Sequence, residues 1–369
     1  MKKLKIKSSF GNYEVININI SRNFFLKNSK NIFYLIDRNV YLKNKIINKI
    51  KKNIILIKSN EKTKNYIEIS RIIKKIMQKN IKRDSVIFAI GGGVVQDISG
   101  FIASILFRGI KWYFIPTTIL AQCDSCIGGK TSINFEKYKN QLGNFYPPQK
   151  IFLDPNLLKT LKIHDIKSGL GEMAHYYLLS DSRDWVFFKK NMPNLIRKDF
   201  DKNIMKSLIF KSLKIKKKFI ELDEFDRGPR LILNYGHTFG HAVEIITNYS
   251  VPHGMAVAHG INMSNFFSLK CKLINKNMFN EIQHQMNKIV NLTDLKKVNI
   301  KNFLKIIKKD KKNKKNQIRL ILTKGFGKMF IKNFNSDLKF MSLFKKYIFH
   351  IKNLQISSQV GGYSEYMDK

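Results

Sequence analysis

Over residues 1–155, short apolar runs take turns with segments whose apolar residues recur at helical spacing. The runs are 31–37 (NIFYLID), 53–57 (NIILI), 85–90 (SVIFAI) and 111–115 (KWYFI), the last stopped by Pro116. Each is too short for a helix, rich in Ile, Phe and Tyr, and apolar on both faces, as a buried strand must be. Between them, residues 40–50 read as helix. Residues 63–79 place Ile67, Ile69, Ile72, Ile73 and Ile76 on a helical stripe, and VVQDISGFIASILF opens a further helix at Val94. Strands joined through helices can pair only in parallel, so the pattern predicts a Rossmann-like, doubly wound α/β sheet.

Beyond residue 156 the texture changes. Residues 182–220, 237–249, 254–272 and 276–290 read as helices, with one late strand-like run at 318–322 (IRLIL). The expected organisation is an α/β domain over 1–155, a mainly α-helical domain over 156–355 and a loose polar tail over 356–369. With 369 residues, 44% of them apolar, the chain can bury a sizeable core, and wholesale disorder is excluded. Three cysteines are too few for a disulfide framework and point to a reducing compartment. The N-terminus lacks an apolar signal region and no run of ~18 apolar residues occurs, so a cytoplasmic protein with no membrane span is expected.

Lys+Arg is 68 against Asp+Glu 26, a net charge of +42. Polyanion binding would explain that number, but its details argue otherwise. Only ten of these residues are Arg, the better reader of bases and phosphates, and the 58 Lys are scattered among Ile and Asn. Lys, Ile and Asn share AT-rich codons, so genome composition accounts for all three together. Nucleic acid is therefore not the expected partner; the densest basic run, residues 301–316, reads as a solvated helix and loop.

Several motifs carry chemistry. Gly91-Gly92-Gly93 follows a strand and opens a helix, where backbone amides can approach a pyrophosphate. Residues 124–131 (DSCIGGKT) fail the P-loop spacing, because Asp124 stands where glycine is needed, yet they leave a Gly-rich turn with a Lys suited to a sugar phosphate. Cys123-x-x-Cys126 has no second pair and reads as chance. The strongest constellation is Asn234-Tyr-Gly-His237-Thr-Phe-Gly-His241, followed by His253-Gly254. His237 and His241 share one helix face. Two imidazoles and a carboxylate would suit a divalent metal, with Glu172 and Glu244 both candidates.

Taken in order, GGGVVQDISGFIAS (91–104), FRG (107–109), IPTTILAQCDSCIGGKTSIN (115–134), KNQLGNFYPPQ (139–149), LLKTL (157–161), SGLGE (168–172), RLILNYGHTFGHAVE (230–244) and PHG (252–254) resemble the 3-dehydroquinate synthases of the sugar phosphate cyclase family. The resemblance covers most of 55–325. It implies an NAD- and metal-dependent lyase that converts 3-deoxy-D-arabino-heptulosonate 7-phosphate to 3-dehydroquinate and phosphate, in the shikimate route to chorismate and aromatic amino acids.

By the same resemblance Glu172, His237 and His253 are the metal ligands, for zinc first and cobalt second, and His241 serves proton transfer. Lys130, Asn140 and Asn234 surround the substrate and its phosphate end, Lys216 and Arg230 hold its carboxylate, and Asp124 belongs to the same site. Arg108 reaches a neighbouring subunit's site, which implies a homodimer. For NAD the resemblance brings Ser59, Asn60, Glu61, Lys62, Thr63 and Lys64; Gly93, Val94, Val95, Gln96 and Asp97; Thr117, Thr118, Lys130 and Lys139; and Leu157, Leu158, Lys159 and Thr160. Asp37, at a strand end, suits either a ribose hydroxyl or a turn. With the nucleotide on the α/β half and the metal on the helical half, the substrate is expected in a cleft.

Two departures touch the site. A substrate-contacting lysine of the family is His175 here, and Gln96 stands where the glycine loop has another Gly. Three other readings were weighed. A related cyclase acting on a plain sugar phosphate has no need of Lys216 and Arg230 together. A metal-dependent alcohol dehydrogenase has no need of Lys139, Asn140, Lys216 and Arg230. A nucleic-acid-binding protein needs a clustered basic surface.

Overall fold

Local signals set the elements. Helix Tyr66–Met77 begins where the Asn65 side chain accepts from the Glu68 amide, buries Ile69, Ile72 and Ile76, and ends in Lys74 and Lys75, which suit its negative terminus. The computed structural model describes residues 3–21, 24–25, 31–136, 138–197, 201–295, 298–308, 317–335 and 337–359. The described chain divides into two compact units, Met1–Ile166 with Lys198–Arg230, and Lys167–Arg197 with Leu231–Lys369.

The first unit holds a seven-stranded sheet. Its strands are β1 (Lys3–Ile6), β2 (Tyr13–Asn17), β3 (Ile32–Asp37), β4 (Ile54–Ile57), β5 (Val86–Gly91), β6 (Lys111–Pro116) and β9 (Lys150–Leu153), in the order β1-β2-β9-β6-β5-β3-β4. All neighbours pair in parallel except β1 and β2. The four expected strands are thus present in a parallel sheet. Strand β3 connects outward to β4 on one side, whereas β5 connects to β6 on the other. The carboxyl ends of β3 and β5 therefore flank a topological switch point, where open α/β sheets bind ligands. Strands β7 (Ile133–Phe135) and β8 (Tyr138–Leu142) form a separate hairpin.

The boundary differs from the one expected at residue 155. Helix Lys202–Leu222 joins the first unit, because its buried face includes Lys216, which pairs with Asp124 of that unit. The single helix expected over 182–220 is two, Ser182–Ile196 and Lys202–Leu222.

The second unit is mainly helical, with one antiparallel hairpin, Gln317–Thr323 and Met329–Asn335. Helix His253–Lys270 is buried from Gly254 through Ser268, as an all-round core helix should be. Two of its buried polar side chains reach neighbouring segments: His259 Nε2 lies 3.2 Å from Asp294 Oδ2, and Asn262 donates to Asn287 at 3.1 Å. The basic run begins as helix Ile300–Lys308, which buries Phe303, Leu304 and Ile307; residues 309–316 lie outside the described residues. In the expected tail, helix Leu338–Gln359 continues through 356–359, and 360–369 lie outside the described residues. Among the described residues, no helix is long and apolar enough to cross a membrane.

Candidate active site

In the first unit the Gly-rich turn falls at the switch point. Gly92 caps helix Gly93–Ile105 without a side chain, and a Cβ on Gly93 would meet nothing within 4 Å, so the positive helix end faces open space. A cavity of about 310 Å³ lies there, lined by Gly92, Ser59, Thr117, Thr118, Leu157 and Thr160 together with Asp37. Six of the residues expected around the nucleotide, or next to them in the glycine turn, thus share one cleft. The Asp37 side chain accepts from the Asn39 and Val40 amides at 2.7 and 3.3 Å, which makes it the cap of helix Arg38–Lys43.

The other expected nucleotide residues have different surroundings. Asn60 caps the turn Glu61–Thr63, and Glu61 accepts from Asn134 at 2.8 Å. Lys62 and Thr63 line a separate groove along β4. Lys64 is buried, 2.5 Å from Asp97 and 2.6 Å from the Asn140 side-chain oxygen. Lys139 stands 3.9 Å from Glu61. Val95 and Leu158 are core residues, Val94 is half-buried, and Lys159 is exposed. Gln96 is buried and forms a two-way bridge to Ser125, donating to its carbonyl at 2.6 Å and accepting from its hydroxyl at 2.7 Å. The longer side chain thus ties the glycine helix to the turn that carries Asp124.

The same unit collects cations. Lys216 is buried and donates to the Asp124 carboxylate at 2.6 Å and to the Asp124 carbonyl at 2.8 Å. Arg230 is buried, donating to the carbonyls of Glu224 and Gly128. Lys130 pairs with Asp226; burial pushes its ammonium below the usual lysine value, against the pull of that carboxylate and helped by Arg230 and Lys216 nearby. Lys130 therefore feels the charges of Lys216 and Arg230, a cluster that suits an anionic ligand. Asp226 and Tyr13, whose hydroxyl accepts from the Gly128 amide at 2.9 Å, were not legible as site residues; no spacing marks either. Arg108 is exposed on a left-handed turn, with φ 64°. Cys123 and Cys126 are buried, and burial raises the Cys126 thiol, so a reactive thiolate is disfavoured.

The second unit brings Glu172, His237 and His253 together. Each offers one ligand atom, and the three atoms lie within 4.8 Å of one another. His237 Nε2 is 3.7 Å from Glu172 Oε1, and His253 Nε2 is 3.7 Å from Glu172 Oε2. The other ring nitrogens are engaged. His237 Nδ1 lies 3.2 Å from the Tyr235 carbonyl, and His253 Nδ1 lies 3.2 Å from Glu244 Oε2. Both partners are acceptors, so a proton on each Nδ1 suits these contacts, and each Nε2 is the nitrogen on the Glu172 side that can serve as a ligand. The donor set fits a divalent cation that takes nitrogen and oxygen ligands; of the two candidate carboxylates Glu172 faces both Nε2 atoms, while Glu244 meets His253 Nδ1 and forms a second close group with His241 and His253.

Close helix approach makes this possible. A Cβ on Gly171 would overlap the Gly254 carbonyl, and one on Gly254 would overlap the Ser168 carbonyl. Only glycine at both positions lets the residues next to them, Glu172 and His253, face each other. His241 lies beside the centre, its ring centroid 5.6 Å from that of His237 and 5.9 Å from that of His253. The Asn234 amide donates to the Leu231 carbonyl at 3.0 Å, at the end of the turn Pro229–Asn234. His175 is fully buried behind Glu172 and His237.

A Gly-rich cleft at the switch point of a parallel sheet and a cation centre on helices fit the class of dinucleotide- and metal-dependent enzymes. The backbone resembles that of a 2-deoxy-scyllo-inosose synthase complexed with carbaglucose-6-phosphate, NAD+ and Co2+, with TM-score 0.79, 21% identity, and 94% of this chain and 99% of that chain covered. It also resembles ValA, the 2-epi-5-epi-valiolone synthase of Streptomyces hygroscopicus subsp. jinggangensis, with NAD+ and Zn2+ bound (TM-score 0.80, 19% identity, 92% and 97% covered). The 3-dehydroquinate synthase N-terminal model matches residues 54–168 and the C-terminal model 169–313. A 3-dehydroquinate synthase of Dictyoglomus thermophilum is 38% identical over 278 residues, 75% of this chain and 77% of the relative. The chain belongs to the 3-dehydroquinate synthase family.

Proposed function

We propose that the chain converts 3-deoxy-D-arabino-heptulosonate 7-phosphate to 3-dehydroquinate and phosphate in the cytoplasm, as a homodimer, using catalytic NAD and one divalent ion, zinc by preference. The observation that carries this reading is the Glu172–His237–His253 centre, each imidazole with Nδ1 against an acceptor and Nε2 on the Glu172 side, in a chain of this family. When bound, the ion supplies Lewis-acid polarisation of the substrate hydroxyl that is oxidised. Bound NAD would supply reversible hydride acceptance, with no net consumption.

The chain's own residues do the remaining work. Tyr235 and Glu244 hold the two imidazoles in ligating orientation. His241, beside the centre, is placed to move a proton. Lys130, Asn140 and Asn234 serve the phosphate end. Lys216 and Arg230 serve the carboxylate, Arg230 through its planar fork. Asp124 keeps Lys216 in place. Arg108, exposed on its turn, serves a second subunit's site. Genome composition accounts for the lysine excess, and nucleic acid is not the proposed partner.

The test is to supply the heptulosonate phosphate with NAD and Zn2+ or Co2+ and measure phosphate release beside carbocycle formation. Stoichiometric release of both without net NADH supports the reading. Release only from sedoheptulose 7-phosphate or glucose 6-phosphate would move the chain to a related cyclase, and net NADH from a simple polyol to a dehydrogenase. Salt-sensitive DNA binding in the nanomolar range would revive the polyanion partner.

A further inference from the structure

We infer that His175 is a positioning residue for the metal centre: its imidazole braces Glu172 and His237, and the affinity for the ion depends on it. The inference rests on the metal reading above and assigns His175 a role apart from substrate contact. His175 is 0% exposed. It sits one turn after Glu172 on helix Ile163–Leu178, with Nδ1 3.7 Å from Glu172 Oε1. The same Oε1 is 3.7 Å from His237 Nε2, while Oε2 faces His253. The carboxylate is thereby divided, with one oxygen toward His175 and His237 and the other toward His253.

The His175 ring also fixes the neighbouring ligand. Its centroid is 5.4 Å from that of His237 at 72°, an edge-to-face contact. It lies 6.4 Å from Tyr235 in a stacked arrangement and 4.7 Å from Tyr176. Tyr235 is the residue whose carbonyl orients His237, and its hydroxyl donates to Asn265. His175 therefore packs against both a ligand and the group that orients that ligand. Residues behind metal ligands typically set affinity by roughly 10- to 100-fold. A neutral imidazole can stand against Glu172, 3.7 Å from Oε1, without bringing a charge.

The experiment strips the protein of metal with a chelator and titrates Co2+ and Zn2+ against a chromophoric competitor, recording the Co2+ d–d bands. His175→Phe keeps a ring and deletes both nitrogens; it should weaken Co2+ by roughly 10-fold or more and shift the bands. His175→Gln, which keeps a donor, should recover most of the affinity. Circular dichroism checks folding, and if His175→Phe does not fold, the comparison of His175→Gln with His175→Met decides. Wild-type affinity and unshifted bands in His175→Phe, or in His175→Met, would overturn the inference. A wild-type chain that takes up neither ion would overturn the metal reading itself.

Discussion

Removing the Asp124 carboxylate isolates a charge that the fold has committed to one place. Lys216 Nζ lies 2.6 Å from Asp124 Oδ1, and the two side chains are 9% and 19% exposed. At an effective dielectric of ~20, that separation corresponds to roughly 6 kcal/mol of gross attraction. Desolvation of both ions takes most of this back, so the pair contributes little net stability. Asp124→Ala removes the compensation but leaves the ammonium buried, at a cost of about 3–4 kcal/mol. At ~2–4 °C per kcal/mol for a unit of this size, the melting temperature should fall by about 10 °C. Adding Lys216→Met removes the stranded charge, so the double variant should regain about 2 kcal/mol over the additive sum. Asp124→Asn, whose amide oxygen still accepts from Lys216, should lose less than Asp124→Ala. Thermal and urea unfolding of the four-member cycle measure these differences. Additivity within about 0.5 kcal/mol would refute the claim that Lys216 depends on Asp124.

Three further outcomes follow from the same geometry. Gln96→Ala deletes both bonds of the Ser125 bridge and should cost about 2 kcal/mol in urea unfolding, with a raised KM for NAD if the bridge holds the glycine helix. Gly254→Ala forces the helix starting at His253 away from Ser168, and isothermal titration should show Zn2+ affinity falling at least as far as it does in His175→Phe. Acid should release the segment around Asp223. Burial acts to raise that carboxyl, but the amides of Arg227, Gly228 and Arg230 more than offset it and hold it below the usual range. Its contribution is present above the unfolded value of ~3.9 and lost as pH falls through the lower folded value, so Asp223→Asn should flatten the acid limb of stability below pH ~4.

How much of this was legible in the sequence depended on the kind of signal. Strands β3, β4, β5 and β6 were readable because each is a continuous apolar run between turn residues. Strands β1, β2 and β9 were not, because Lys3–Ile6, Tyr13–Asn17 and Lys150–Leu153 mix charged and apolar residues in runs of four or five. The boundary near residue 155 followed a change of texture, but texture does not report that Lys216 reaches back to Asp124. At the site, His237 and His253 stood out by local density. By spacing Glu172 and Glu244 were equivalent as candidates; the family resemblance chose Glu172, and the structure puts Glu172 against both Nε2 atoms and Glu244 against His253 Nδ1. Asp226 and Tyr13 carry no pattern; their roles exist only once distant segments meet.

The central claim is tested most directly by an anomalous difference map of crystals grown with Zn2+ or Co2+, collected above and below the metal edge. The account predicts one strong peak within ligating distance of Glu172, His237 Nε2 and His253 Nε2, absent in Glu172→Gln. A peak elsewhere, or none at that centre despite saturating metal, would contradict it.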